Sequence, residues 1–357
     1  MRISAFLDRL SPIPRGAAYL LAAALAIGCA PEAPPWPDPP TQITVGDGHA
    51  CVLLASRRVA CWGENGNGQC GSDETVVHRP HIVPGLERIV RVVAGSRWTC
   101  AIREDAAAFC WGRNAEGELG AGSEAYSLNT PVRLALDVVH DIAFQSGLNV
   151  RYAIGGDGHV YEWSPYSLPT RADSEYSWWL RLENVVAFAP PQCVQTADGI
   201  TVCPRLESGA AFERVASMSA SGDGATCLVQ DGTVFCAGGN DYGQLGDGSV
   251  GEWSPGFRSS LTSAEVVRAA DEHTCATRQD GTVWCWGNNG AGQLGTGDRV
   301  DSVLPRQVAG LRDITDFDIE NMTNCAIRSD STVWCWGWMP GDDLVDAVVP
   351  EFVSPPR

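Results

Sequence analysis

The sequence predicts an all-β repeat protein, and three observations carry that prediction. Glycine and proline number 39 and 22 in 357 residues, a content that calls for many tight turns and short strands and leaves little room for long helices. Twelve cysteines fall into six pairs around turn-forming residues, ten residues apart in five pairs and nine in one. Trp-Gly steps and Asn/Gly-rich loops recur beside them in units roughly 34 to 52 residues apart, the period range of closed propellers and solenoids.

The cysteine pairs are Cys51 with Cys61, Cys100 with Cys110, Cys193 with Cys203, Cys227 with Cys236, Cys275 with Cys285, and Cys325 with Cys335. Zinc would want CxxC or Cys/His spacings instead. The stretch from Cys275 to Cys285 reads as two strands around Gln279-Asp280-Gly281. With Gly281 in the left-handed region of a three-residue loop, Arg278 opposes Thr282, and counting outward sets Cys275 opposite Cys285. In the nine-residue case a two-residue loop, Asp231-Gly232, brings Cys227 opposite Cys236. One residue fewer in the turn is one fewer in the spacing, so the register survives. Directly opposed strand residues lie within disulfide reach, and each short closed loop stabilises by roughly 3 kcal/mol on the chain-entropy account. A seventh hairpin has Tyr152 and Glu162 in the paired positions around Asp157-Gly158, with Trp163 next as Trp286 follows Cys285.

Each second strand leads into a repeated loop. Trp62-Gly63, Trp111-Gly112, Trp286-Gly287 and Trp336-Gly337 occupy one slot, and Asn289-Gly290-Ala291-Gly292-Gln293-Leu294-Gly295 has counterparts ending at Gly120 and Gly246. Before the next hairpin, residues 305–311 match residues 80–86. Each unit therefore offers about four short antiparallel strands.

The Trp-Gly-x-Asn-x-x-Gly-Gln-Leu-Gly pattern at 286–295, its variants beginning at 62, 111 and 237, and Ala-Gly-x-x-x-x-Cys at 94–100 resemble the regulator-of-chromosome-condensation repeat family over roughly residues 43–353. The resemblance implies a seven-bladed β-propeller, here with one cross-strand disulfide in six of the blades. Three repeats depart from the pattern: Pro204 replaces the tryptophan of the fourth, and the loop is lost after Trp163 and after Gly337.

The N-terminus reads as an export signal over residues 1–28. Arg2, Arg9 and Arg15 precede an apolar stretch from Ala17 to Ile27, which is too short to span a bilayer permanently. Ala26-Ile27-Gly28-Cys29 resembles the lipobox of bacterial lipoproteins, which implies that Cys29 is lipidated and becomes the N-terminus. Residues 29–40, with Pro31, Pro34, Pro35, Pro37, Pro39 and Pro40, read as an extended tether, and residues 41–357 as the propeller. Export matches disulfide formation. The net charge of −18 and the absence of any basic run argue against nucleic acid, and the membrane is expected only through the lipid anchor. The chain contains no lysine, which excludes phosphate-loop NTPases, Schiff-base enzymes and kinase-like sites.

Candidate chemistry is sparse. Gly66-Asn67-Gly68-Gln69-Cys70-Gly71 spells a dinucleotide fingerprint, but no helix pattern follows, so it reads as a repeat loop. Cys70 stands where other repeats have Leu119, Leu245 and Leu294, and reads as a small buried apolar residue. His49 and His273 share a slot that Trp98 and Thr323 fill elsewhere, which points to packing rather than catalysis. Several aspartates sit in Asp-Gly turns, and no EF-hand spacing appears. The least repeat-like region, about 164–188, carries Tyr166, Tyr176, Trp178 and Trp179 around Arg171 and Arg181, the residue types of interface hot spots or of a degenerate blade core.

The reading is a monomeric, non-enzymatic scaffold, exported and either lipid-anchored at the envelope or plainly secreted, without cofactor or metal, that binds a protein or other macromolecule through loops on one face. The resembled family also implies exchange-factor activity toward a small nuclear GTPase, which an export signal places out of reach, or the role of a secreted protein inhibitor of an enzyme, as in bacterial relatives that inhibit β-lactamase. A purely structural envelope protein remains open, as does a hydrolase or lyase with an acid/base or metal cluster in the central channel.

Overall fold

The hairpin cysteines, the turn glycines and the repeated tryptophans organise seven four-stranded antiparallel sheets, each pairing four strands in chain order. The computed structural model describes residues 36–145, 150–163, 167–171, 185–189, 193–197, 200–203, 210–221, 224–338 and 347–356. The blades run over residues 40–82, 89–133, 139–171, 185–213, 215–262, 264–307 and 314–353, and no helix occurs among the described residues. The first strand of each blade lies innermost, around a central channel, as the seven-bladed propeller requires.

Second strands of the stapled blades are buried over at least five of their six residues, as in His49–Leu54, because a blade is packed on both faces by its neighbours. Trp62, Trp111, Trp163, Trp286 and Trp336 are fully buried between blades and form the large parts of the core. Every inner strand opens with a break in register one residue in, for example between Pro40 and Gln42, between Ile89 and Arg91, and between Ile314 and Asp316. Such a bulge re-aims the residues that follow it, here into the channel. Outer strands carry their own repeated device. Pro80, Pro131, Pro305 and Pro350 each precede the residue that pairs with the second hairpin cysteine. A residue without an N–H blunts an edge that would otherwise recruit another strand.

The hairpin register follows the turn chemistry. Gly281 has φ 74°, and the amide of Arg278 donates to the carbonyl of Thr282 at 2.9 Å. Asp231 and Gly232 both have positive φ, 48° and 75°, and Cys227 faces Cys236. Five pairs are bridged: Cys51–Cys61, Cys100–Cys110, Cys227–Cys236, Cys275–Cys285 and Cys325–Cys335. For the sixth pair, the ladder couples Val194 to Val202, one step inside Cys193 and Cys203, whose side chains lie outside the described residues. Tyr152 faces Glu162, so the seventh hairpin keeps the register without the bridge.

Three turns place a residue other than glycine where Gly281 sits: Arg57, Ala106 and Ser331, with φ of 62°, 64° and 65°. The left-handed region costs an L-residue about 1–2 kcal/mol, against roughly 0.5–1 kcal/mol of extra chain entropy that glycine loses on folding. Ala106→Gly and Ser331→Gly are therefore expected to stabilise by about 0.5–1 kcal/mol each, read as a rise in the urea midpoint at constant slope.

The ring closes without exchanging a strand. Trp36, expected in the tether, is instead docked: its amide donates to the carbonyl of Ser331 at 3.2 Å, its indole N–H to Val353 at 3.1 Å, and its ring packs against Trp62. It thus joins the first blade to the last.

Candidate functional site

The channel is the concave feature that the inner strands build, with a volume of about 380 Å³. Residues after each bulge alternate between channel and blade interior, so positions such as Gln42 and Thr44, Ser217 and Ser219, and Asp316 and Asp318 point inward. Their polar atoms reach the next blade's backbone. The Gln42 amide accepts from the N–H of Val92 and donates to its carbonyl, and Thr44 Oγ1 accepts from Ala94. Ser217 and Ser219 hold Val267 and Ala269 in the same way. Asp141 accepts from the amide of Phe188 and pairs with Arg91 at 2.9 Å, and Arg268 pairs with Asp318 at 3.4 Å. At the closing junction Asp316 accepts from Ile43 at 2.8 Å and Asp318 from Val45 at 3.0 Å.

The lining carboxylates, Asp316, Asp318 and Glu320, come from the seventh blade, Asp141 holds on the third blade the inner-strand position that Asp316 holds on the seventh, and no histidine is among the lining residues. Burial pushes the Asp316 carboxyl up to about 6, and raises Asp141 and Asp318 as well, opposed by the neighbouring arginines and amides. Glu320 is raised well above its ordinary value by burial and by the carboxylates of Asp271, Asp318 and Asp47 around it. The first three act as acceptors for backbone N–H groups that would otherwise be buried without partners. Among the described residues no group of three or more His, Cys, Asp or Glu is placed to hold a metal ion.

The repeated loop has a compact explanation. Asn289 accepts from the amide of Leu294 and donates to the carbonyls of Asp298 and Val300, pinning both ends of its loop, and Asn65, Asn114 and Asn240 do the equivalent. Gln293 accepts from Ala291 two residues back, as Gln244 does from Tyr242. The following blade then clamps the loop: the indoles of Trp286 and Trp336 donate to the carbonyls of Gln244 and Gln293. Gly295 closes the loop with φ 64°, where a Cβ would lie 2.9 Å from the Trp336 ring. The nucleotide-like sequence at 66–71 is one of these loops, and Cys70 is a buried free thiol in the leucine slot, pushed up by burial.

His49 and His273 are buried at the same joint. His49 Nε2 lies 3.0 Å from Thr99 Oγ1, and His273 Nε2 lies 2.7 Å from Asn324 Oδ1, each partner on the next blade. Burial lowers His49 to about 3 and His273 to about 4. Below the unfolded value near 6.5 the unfolded chain takes up protons that these folded histidines refuse, so stability falls with pH by on the order of 1 kcal/mol per unit for each histidine. Asp316 acts in the opposite sense: its folded value exceeds the unfolded one near 3.9, so protonation stabilises the fold as pH falls from about 6 to about 4. His49→Thr with His273→Thr, using the residue of the equivalent Thr323, is expected to remove the acid-side loss and leave the gain. Urea unfolding at successive pH values between 7 and 4 checks the change of slope.

Of the residues singled out for binding, Tyr166, Tyr176, Trp178, Trp179 and Arg181 lie outside the described residues, as does Cys29. Arg171 is exposed on the two-residue outer strand Thr170–Arg171, opposite Tyr161. Asp141, Asp316 and Asp318 carry no local mark of an inward position in the sequence. Their signal is the alternation after the inner-strand bulge, visible once blades are aligned on their cysteines.

Seven such sheets around a channel, each fastening the loop of the one before, define a β-propeller built from sequence repeats. Parts of the chain match models of the regulator of chromosome condensation (RCC1) repeat: one matches residues 58–102 and 280–322, and a second matches residues 41–69 and 89–118. Among solved structures, the chain is similar to one in the crystal structure of Kap60 bound to yeast RCC1 (Prp20), at 16% identity over 99% of this chain and 91% of that one, with a TM-score of 0.69. It also aligns with human WBSCR16 at 21% identity over 78% of this chain and 69% of that one, with a TM-score of 0.46. No curated protein matches the sequence.

Proposed function

We propose that this propeller is a non-enzymatic scaffold that binds a protein partner outside the cytoplasm, held at the bacterial envelope by a lipidated Cys29. The observation that carries the reading is the commitment of the channel side chains. Asp141, Asp316, Asp318, Gln42, Thr44, Ser217 and Ser219 each hold a neighbouring backbone, so these polar groups of the inner strands are engaged in keeping the ring together, and Glu320 stands apart from them at the channel mouth. What is left for recognition is the loop surface, the usual seat of function on a rigid scaffold. A propeller of similar fold, yeast RCC1, is bound by a protein, Kap60. The buried hairpin disulfides suit an oxidising compartment.

The test is chemical crosslinking of the full chain, expressed in its native host, followed by identification of the attached proteins. A partner that is recovered repeatedly and competes with purified propeller supports the reading; none above an unrelated envelope lipoprotein overturns it. Cys29→Ala is expected to release the protein from the membrane fraction, with loss of an acylated N-terminal peptide in mass spectrometry.

A further inference from the structure

The two faces of the ring differ in charge. One is built from the connections between first and second strands and between third and fourth strands: residues 46–48, 65–75, 95–97, 114–126, 241–250, 270–272, 288–301 and 321–322. These carry twelve Asp or Glu against two Arg. The other face is built from residues 55–58, 83–88, 104–107, 134–138, 156–159, 214, 231–232, 263, 279–282, 308–313 and 329–332. Those carry nine Asp or Glu against five Arg. Among the described loop residues the negative charge is thus greater on the first face. Apolar side chains are exposed on that face as well, which is the unusual combination. Tyr242, Val250 and Val300 project from its loops, and Trp253, 60% exposed, and Leu304 stand on the adjoining outer strands.

These groups are contiguous. The fifth-blade loop leans on the sixth blade, where the amide of Gly248 donates to Val303 and a Cβ on Gly248 would lie 3.6 Å from the Leu304 side chain. Toward the channel, Gln244 of the same loop donates to the carbonyl of Asp271. Asp271 and Asp47 are in turn carboxylate neighbours of Glu320, and Asn321 donates to Asp47 at 2.8 Å. An apolar rim therefore leads inward to an acidic mouth.

Building on the protein-binding function proposed above, we infer that this face, at the fifth and sixth blades, docks a cationic polypeptide segment. Its arginine or lysine side chains lie over Asp47, Asp271 and Glu320, and its apolar side chains rest on Tyr242, Trp253 and Leu304. Charge complementarity selects the occupant. Nucleic acid and anionic lipid are repelled by this surface. A free cation would use the mouth and leave the apolar rim unoccupied, whereas a polypeptide covers both, with desolvated aromatic anchors beside steering charge.

The test immobilises the full chain and selects from a random peptide display library of uniform length. Enriched sequences are expected to carry net positive charge together with aromatic or aliphatic residues. A synthetic representative should bind at least about tenfold more weakly at about 0.5 M salt than at about 0.05 M. Its hydrogen-exchange footprint should cover 240–250, 270–272 and 298–304. Tyr242→Ser with Trp253→Ser, and separately Asp271→Asn with Glu320→Gln, should each weaken it by about tenfold without lowering the melting temperature, whereas Asp105→Asn with Asp280→Asn on the opposite face should not weaken it. Enrichment of neutral or acidic peptides, no enrichment, or a footprint elsewhere overturns the inference. Tight peptide binding elsewhere would leave the protein-binding reading standing, while failure of the crosslinking test alone would not move the footprint.

Discussion

Reducing the hairpin disulfides is expected to be the most damaging single treatment of this protein. Each of the five described bridges closes a loop of about ten residues, which restricts the unfolded chain by roughly 2–3 kcal/mol, and the five loops do not overlap, so their effects are close to additive. Together they match or exceed the 5–15 kcal/mol, in round terms about 10, by which a folded domain outlasts its unfolded state. Chain fully reduced in denaturant should fail to recover the native fold on dilution while reductant is present, and should recover it when oxidised. The bridging cysteines are almost wholly buried, so reductant added to native protein should act only as fast as blades open. Cys275→Ala with Cys285→Ala isolates one bridge and should cost about 2–3 kcal/mol by urea unfolding. A loss below about 0.5 kcal/mol would show that the staples add nothing to blades already fixed by packing. The reciprocal variant, Tyr152→Cys with Glu162→Cys in the unbridged hairpin, should form a sixth staple among the described blades, its contribution of about 2 kcal/mol offset by loss of the buried Tyr152 ring from its contact with Phe188.

The second large effect is expected at the closing junction. Asp316→Ala with Asp318→Ala leaves the amides of Ile43 and Val45 without acceptors and Arg268 without its carboxylate. Hydrogen bonds to charged groups contribute about 1.5–3 kcal/mol each, so the pair should destabilise by about 3–6 kcal/mol. Asp318→Asn retains an acceptor for Val45 and should cost much less. Hydrogen exchange localises the effect: the first and last blades should lose protection before the others, because no strand is exchanged between them to hold the ring. Uniform loss of protection would mean that the ring opens at no preferred place.

The reach of the sequence differs from element to element. Cysteine spacing and turn type together dictate which residues face each other, because a hairpin's register is a local property of two strands and the few residues between them. Hence Cys227 opposite Cys236, and Tyr152 opposite Glu162, could be read without coordinates. Leucine in the slot of Cys70 likewise announced a buried position. The channel was far less legible. Asp141, Asp316 and Asp318 look like ordinary strand residues of mixed sequence, and their partners Phe188, Ile43 and Val45 are backbone amides that any residue supplies. Asp316 and Ile43 are separated by 273 positions, and no local pattern links them. Trp36, in a proline-rich stretch, reads as tether until Ser331 and Val353 are brought beside it.

The hairpin registers, the number of blades, and the Trp-Gly and Asn-loop repeat were determined by the sequence alone, since each depends on contacts within one unit of some fifty residues or between units of fixed period. Tertiary structure decided how the ring closes, which polar side chains turn into the channel, and where acidic and apolar residues from separate blades meet on one face. Those features arise from the curvature that brings the seventh blade back to the first, and curvature is a sum of small blade-to-blade rotations that no single repeat encodes.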